Sequence, residues 1–380
     1  MTRHSPVAAR PGHPPATRGP GAQRGAVAVL AHPGRAGLRR PTAGRRPLAW
    51  LLALALLLPV ALFLALTYGR FPLAASEIAG ALLGFADPGA DPGRTALLHS
   101  LVWEIRLPRV LGAALIGAAL AASGTAYQAV FVNPLVSPGV LGVLAGASCG
   151  AALGLLAAQG WWLVQVLAIG GGLAAVLVAV GIGRLFGPAS LVMLVLGGIF
   201  SGALFAALLS LIKYLADPYE QLPAIVYWLM GSLGQVDAAT LARLAPPMLA
   251  GILGLTLLGR ALDALAMGDD AAHSLGVPVR AVRATVIGCA TVASALTVAI
   301  AGMIGWVGLL VPHLARLLVG PLNRYLVPTS ALLGAVFLLA ADALARGLAD
   351  TELPIGVVTE LIGLPVFLLV LRNVRRGWAP

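Results

Sequence analysis

A succession of long apolar segments, divided by short breaks that are polar or rich in proline and glycine, constrains this chain more than any other feature. Only 10% of its residues are charged and 59% are hydrophobic, whereas a soluble domain carries roughly a quarter charged residues. So few charges cannot build a surface that faces water, and we therefore expect lipid to cover most of it. The sequence predicts an all-α, polytopic membrane protein.

Ten apolar segments have lengths near the roughly 20 residues that a helix needs to cross a bilayer. They lie near residues 48–68, 107–129, 140–158, 163–183, 190–212, 241–262, 284–303, 305–320, 328–346 and 355–372. The segment 305–320 is short for a full span, which favours a bent or partly re-entrant helix. Small residues at every fourth position, such as Gly146, Gly150 and Gly154, predict close packing between helix backbones.

The first 47 residues differ in composition from the rest of the chain. They hold nine of the 25 basic residues and no acid, and they are rich in Pro, Gly and Arg without sustained apolar periodicity. We predict a disordered basic tail over residues 1–47 and a transmembrane domain over residues 48–376. Arg39, Arg40, Arg45 and Arg46 are expected to hold the tail at the anionic cytoplasmic face. The residues before them fit a poorly constrained extension or a misplaced start codon.

The placement of basic residues predicts the orientation of the spans. With the N-terminus inside, the tail and a larger share of the remaining basic residues fall on the cytoplasmic side. These are Arg184, Arg260, Arg280, Arg283, Arg316, Arg324, Arg372, Arg375 and Arg376. The opposite side receives Arg70, Arg94, Arg106, Arg109, Lys213, Arg243 and Arg346. We therefore predict that both termini are cytoplasmic, which requires an even number of spans.

Several classes of function lack their residues in this sequence. A phosphate-binding P-loop needs Gly-Lys-Ser/Thr, but the one lysine, Lys213, follows Ile212. No His/Cys/Asp/Glu cluster has metal-ligand spacing, no Ser/His/Asp arrangement stands out, and ionisable residues in the middles of the spans are nearly absent. Carriers coupled to protons or sodium usually need such groups. The sequence favours a non-enzymatic, pore-forming subunit without a cofactor of its own, driven from outside; if ATP drives it, another chain binds the ATP and its Mg²⁺.

Four motifs follow one another along the chain. The first comprises Arg106-Leu107-Pro108-Arg109, residues 116–124, Asn133-Pro134-Leu135 and residues 138–143. The others are residues 267–277, residues 305–316 with Gly308-Leu309 and Pro312-His313, and residues 352–359 with Glu352-Leu353-Pro354, continued by Gly363, Pro365 and Phe367. This order resembles the FecCD-type family, the permease subunits of ABC importers for ferric siderophores, haem and vitamin B12. The resemblance covers about residues 48–376.

The resemblance implies a type II ABC importer permease of about ten spans, with an inverted repeat. A faint similarity between residues 107–143 and 284–320, which run in opposite directions under the predicted topology, agrees with such a repeat. The implied partners are two ABC ATPase subunits, an extracytoplasmic substrate-binding protein and a second permease copy in a homodimer, with no nucleic acid. The implied cargo is a metal chelate of the iron-siderophore type, crossing the bacterial cytoplasmic membrane. Haem or cobalamin cargo, a heterodimer and, less favoured, a secondary metal-chelate carrier stay open.

The resemblance also assigns residues to the predicted outer face. Family permeases present arginines to acidic residues of the binding protein, and the matching positions here are Arg106, Arg109 and Arg346. A guanidinium group suits paired carboxylates. Snorkelling at the membrane interface is the alternative for each arginine alone.

A loop on the predicted cytoplasmic side matches the family's ATPase-coupling helices. It comprises Gly268, Asp269, Asp270, Ala271, Ala272, His273, Ser274, Leu275 and Gly276. The two aspartates suit a helix N-terminus and Gly276 suits a helix stop. An ordinary capped surface helix is the alternative.

Two further assignments concern the predicted cytoplasmic end of the spans. Asn133, Pro134 and Pro138 are expected to shape the inner mouth of the pathway, or else to form an ordinary tight turn. His313 is expected to be an interfacial histidine rather than a ligand, with Arg316 at the cytoplasmic boundary.

Overall fold

The computed structural model describes residues 45–69, 71–84, 92–185 and 191–376. Within these ranges it forms fifteen α-helices and no strand. The predicted basic tail lies outside the described residues except for residues 45–47, which belong to the first helix. The prediction of an all-α, polytopic membrane protein is confirmed.

The helices follow the apolar pattern of the sequence. They are α1 (Arg45–Thr67), α2 (Ala75–Leu83), α3 (Pro92–His99), α4 (Leu107–Val130), α5 (Val143–Ala157), α6 (Trp161–Leu185), α7 (Leu191–Leu215), α8 (Gln221–Leu229), α9 (Ala238–Leu257), α10 (Gly259–Leu265), α11 (Asp269–Ser274), α12 (Val279–Ala301), α13 (Val307–Val319), α14 (Asn323–Gly347) and α15 (Ile355–Arg376). Among the described residues, seven helical stretches are long and apolar enough to cross a membrane. Shorter apolar helices occupy the predicted segments 140–158, 305–320 and 355–372.

The start of the second span differs from the sequence prediction. The second predicted span begins near residue 107, but α3 continues through a π-helical turn, Ser100–Arg106, directly into α4. The Leu107 amide donates to the Val102 carbonyl, five residues back. This wider turn admits Pro108, which has no amide hydrogen, without ending the helix.

Three long helices form the centre of the bundle. Ile116 and Leu120 of α4 pack in one cluster with Ile300 near the end of α12, while Tyr127 packs in a second cluster with Val286 near its start. Helices α4 and α12 are therefore antiparallel. Arg109 pairs with Asp342 near the end of α14, so α14 also runs opposite to α4. We call the end of the bundle at Arg109 the Arg109 end, and the opposite end the α11 end.

Glycine lets the central helices approach closely. A Cβ atom on Gly117 would lie 2.2 Å from the Gly334 carbonyl oxygen, and one on Gly124 would lie 1.8 Å from that of Gly308. No larger residue fits at these contacts without a backbone shift. This is the close packing that stripes of small residues provide in membranes, where no hydrophobic force joins the helices.

Two breaks in the helical pattern meet inside the bundle. Residues 131–142, which include a 3₁₀ turn at Pro138–Leu141, separate α4 from α5, and residues 302–306 separate α12 from α13. Pro138 lies against Gly308 at the start of α13. Helix α13 has only 13 residues, beginning level with Gly124 in the second half of α4. The short segment 305–320 is therefore a partial span, and a long helix, a break and a shorter helix follow one another both over residues 107–157 and over residues 279–319.

Candidate functional site

An ion-pair cluster closes the Arg109 end of the bundle. Arg109 Nε and Nη2 lie 3.0 and 2.9 Å from Asp342 Oδ1, and Arg109 Nη1 lies 2.8 Å from Glu352 Oε1. Arg346 Nε lies 3.0 Å from the second oxygen of Asp342. Asp342 is fully buried, so the two guanidinium groups neutralise a charge that could not otherwise stay in the bundle.

Further contacts of Arg106 and Arg346 go to the last turn of α1 and to the residues just after it. Arg106 donates to the carbonyl oxygens of Leu66, at 2.7 Å, and of Phe71. Arg346 donates to the carbonyls of Tyr68 and of Ala65, the latter at 3.3 Å. Carbonyls in the last turn of a helix have no partner within it, and cations are favoured there. The arginines thus hold the end of α1 against α4 and α14.

The three predicted docking arginines are therefore brought together, but their guanidinium groups face internal partners. Arg106 is 7% exposed and Arg346 is 9% exposed, while the Arg109 side chain is 13% exposed. An acidic surface of a partner would reach Arg109 and the half-buried Glu352 before the other two. Docking by Arg106, Arg109 and Arg346 stays a prediction.

The predicted coupling loop forms one short helix, α11, which follows α10 at the α11 end. Gly268, with φ of +99°, precedes α11, and Gly276, with φ of +75°, follows it. Both turns need a backbone conformation that glycine adopts without strain. Asp269 and Asp270 occupy the first turn of α11, where their charge is favourable.

Helix α11 has an inward and an outward side. Ala272 is fully buried, and Asp269 Oδ1 accepts a 2.6 Å hydrogen bond from Arg283 of α12. Met267 and Leu275, which flank α11, lie on the outward side and are 61% and 63% exposed. Asp270, His273, Ser274 and Gly276 are also exposed, whereas Ala271 is half-buried. An exposed apolar surface on a short helix, fastened to a long one, has the form of a docking element.

The three residues predicted for an inner mouth separate into two places. Asn133 Oδ1 accepts from the Leu135 amide at 2.9 Å, which makes a tight turn at the α11 end. The Pro134 carbonyl accepts a 2.9 Å hydrogen bond from His313 Nε2. Pro138 is buried at the break between α4 and α5 instead. His313 thus has a backbone partner, and its interfacial position stays a prediction, while Arg316 donates to Gln128 Oε1 at 3.0 Å.

A cavity of about 270 Å³ lies where the two breaks meet. Pro138, Trp306 and Gly308 belong to its lining, and so does Glu360 of α15. Glu360 is exposed. Among the residues that the structure describes, no ion pair or hydrogen bond of its carboxylate is found.

Glu360 and Asp342 are acids within predicted spans. Ionisable residues are nearly absent from the middles of the spans, and these two lie towards the ends of the predicted segments 355–372 and 328–346. Asp342 is neutralised by two arginines from the bundle. Glu360 is a candidate functional residue that the sequence analysis missed, although the signal was present as a lone acid in an apolar run.

Helices interrupted at membrane depth, a cavity at the interruption and a fastened surface helix at one end define an integral membrane transport protein. The chain belongs to the FecCD transport family, whose model matches residues 57–373. It is thereby an ABC importer permease.

Individual relatives agree with this assignment. The chain is 37% identical over 318 residues to the molybdate import system permease protein MolB of Haemophilus influenzae, covering 83% of this chain and 92% of that protein. It is 40% identical over 323 residues to the hemin transport system permease protein HmuU of Yersinia pestis, covering 82% and 95%. A metal-chelate type ABC transporter, solved in an inward-facing conformation, matches with a TM-score of 0.75 and 36% identity over 85% of this chain and 98% of the other.

Proposed function

We propose that this chain is the membrane subunit of an ATP-driven importer that carries a metal chelate of the iron-siderophore type across the bacterial cytoplasmic membrane. A separate ABC ATPase subunit hydrolyses the ATP. The observation that carries the proposal is the α10–α11 element, which presents Met267 and Leu275 outward while Ala272 and Asp269 fasten it to the bundle. Haem and cobalamin are the alternative cargoes within the same family.

The short helices are attached to two of the three central helices. Asp269 pairs with Arg283 at the start of α12, and Asp263 of α10 accepts from the Asn323 amide at the start of α14. Both long helices pack along α4. A displacement of α10 and α11 by the ATPase would therefore reach the helices that surround the cavity. This arrangement supports a cytoplasmic assignment of the α11 end, with both termini inside.

The second part of the proposal is that the Arg109 end faces the extracytoplasmic side. An extracytoplasmic binding protein would deliver the chelate there, and Arg106, Arg109 and Arg346 would meet its acidic residues. The internal contacts of these arginines give that surface a fixed shape, and a carboxylate from the partner would compete with Glu352 for Arg109. Two permease copies would enclose the route. A large polar cargo fits such a route because small side chains line the helices and hold it weakly.

The proposal is tested by placing a charge at Leu275, on the exposed apolar surface that Leu275 forms with Met267. The Leu275→Asp variant should no longer copurify with the ABC ATPase subunit, because an apolar contact is replaced by a charge. Its matched control is Tyr219→Asp, since Tyr219 is 88% exposed in the loop before α8, near the opposite end. ATPase retention by Leu275→Asp would contradict the proposal.

The cargo is tested separately by uptake into a deletion strain that carries the permease with its ATPase and binding protein. Labelled ferric siderophores, haem and cobalamin are compared, with molybdate as the anionic comparison. ATP-dependent accumulation of a ferric siderophore is the expected result. Accumulation of haem or cobalamin alone would transfer the assignment to that cargo.

A further inference from the structure

Glu360 lies within the membrane-spanning part of α15, although its side chain is exposed on the surface of this single chain. A Cβ atom on Gly305 would lie 3.4 Å from Glu360 Oε1, so the carboxylate is beside the break between α12 and α13. Three residues further on, Gly308 contacts the Leu120 carbonyl, in the middle of α4. The carboxylate therefore lies beside the interior part of α4, five residues after the first residue of α15.

A carboxylate at this depth is not compatible with contact to lipid. Charged side chains in spans face a bundle interior, a partner or a water-filled cavity, because hydrocarbon does not solvate them. Glu360 is exposed on the surface of this single chain. No cation of the described residues pairs with it. The face of α15 that carries Glu360 consequently meets water, a second chain or both.

The backbone beside Glu360 supports an aqueous route. Residues 302–306 and the residues around Pro138 are not α-helical at membrane depth, and such backbone is tolerated only where it is buried in protein or lines a water-filled cavity. Trp306 holds φ of +64°, a strained value for a large residue that tends to occur at functional sites. The cavity of about 270 Å³ lies at these two breaks, with Glu360 in its lining.

We propose that Glu360, with this cavity, is a cargo-contact site on the translocation route that favours cationic or metal-bearing cargo over oxyanions. The inference rests on the proposed function and narrows its substrate class. A carboxylate attracts positive charge and repels negative charge, as rings of acidic residues do in cation-conducting pores. A molybdate-like dianion would meet repulsion at Glu360, whereas a cationic ferric chelate would be attracted to it.

The test measures the electrostatic field beside Glu360 without any cargo. A Gly305→Cys substitution places a thiol next to the carboxylate at an ordinary contact distance, in a background that carries Cys149→Ala and Cys289→Ala. Membrane vesicles that contain the full chain are labelled with a cationic and an anionic methanethiosulfonate reagent of similar size. The ratio of the two rates cancels any change in the reactivity of the thiol itself.

Adding Glu360→Gln should lower the cationic-to-anionic rate ratio by about threefold to tenfold, as expected for unit charges several ångströms apart in a partly aqueous site. The matched control is Glu220→Gln, which removes an exposed acid next to α8 and should leave the ratio unchanged. Ser137→Cys, in the same cavity lining, replaces Gly305→Cys if that variant does not fold. An unchanged ratio in Glu360→Gln, or no labelling of either thiol by either reagent, would overturn the inference. Because neither uptake nor the ATPase enters this measurement, its failure is distinguishable from failure of the proposed function.

Discussion

Arg109 of α4 directs two hydrogen bonds, of 2.9 and 3.0 Å, to a single oxygen of Asp342 on α14. The two residues are 233 positions apart in the chain, and Asp342 is fully buried. A buried ion pair adds little net stability over an apolar pair, but removal of one partner leaves an uncompensated charge. Arg109 is therefore a structural residue of the α4–α14 contact, whatever else it binds.

The Arg109→Met variant should be destabilised by about 3 kcal/mol, at the lower end of the range for broken buried pairs because Arg346 still contacts Asp342. Thermal unfolding of the detergent-solubilised protein measures the effect. The control is Arg94→Met, which breaks an exposed pair with Glu77 and should leave the unfolding temperature unchanged. Equal decreases of the unfolding temperature in both variants would show that the ion pairs of Arg109 do not stabilise the contact between α4 and α14.

The Gly117→Ala variant should be destabilised by about 1–3 kcal/mol, because the added methyl group meets the Gly334 backbone at 2.2 Å and the helices must separate. In Gly170→Ala, a substitution in α6 with nothing within 4 Å of the new atom, little change is expected. The same unfolding measurement compares the two. A tolerated Gly117→Ala would contradict the close approach of α4 and α14.

Much of the fold follows from local sequence signals. Each apolar run specified a helix, and the ends of α11 were marked by Gly268, Gly276 and two adjacent aspartates. The missed helix α8 is short, and Pro223 lies inside it. Its placement depends on distant contacts, such as the Ser232 amide donating to the Ala301 carbonyl at 2.9 Å. A single sequence carries no local trace of a contact of that kind.

The candidate site shows the same division. The R-x-P-R pattern identified Arg106 and Arg109 as important, but it could not show that Arg106 holds the end of α1 or that Arg109 pairs with Asp342. Such pairings depend on which helices become neighbours, and this is decided by Gly117 and Gly334 packing face to face. Motif spacing reveals which residues act, while the packing determines what they touch.

The Arg283→Met variant should still assemble with the ATPase but transport several-fold less cargo for each ATP hydrolysed, because α11 loses its ion pair to α12. Ala272→Leu, which enlarges a fully buried residue, and Gly276→Val, at φ of +75°, should act in the same direction. Proteoliposomes assayed in parallel for ATP hydrolysis and uptake give the ratio. Arg280→Met, at an exposed neighbouring position, is the control. Normal coupling in all three variants would mean that α11 does not transmit the ATPase movement.

Charge reversal at the Arg109 end tests docking. The Arg106→Glu and Arg109→Glu variants should abolish uptake while the ATPase still copurifies, since the 24 residues of α4 separate the two ends by roughly 36 Å. Arg106→Lys and Arg109→Lys keep the charge and control for its sign. Because these arginines also hold α1 and α14, binding-protein affinity must be measured on detergent-solubilised protein at a temperature where each variant remains folded. Folded variants that bind the partner normally would show that the arginines act only within the bundle, and uptake at the normal rate would remove the docking assignment altogether.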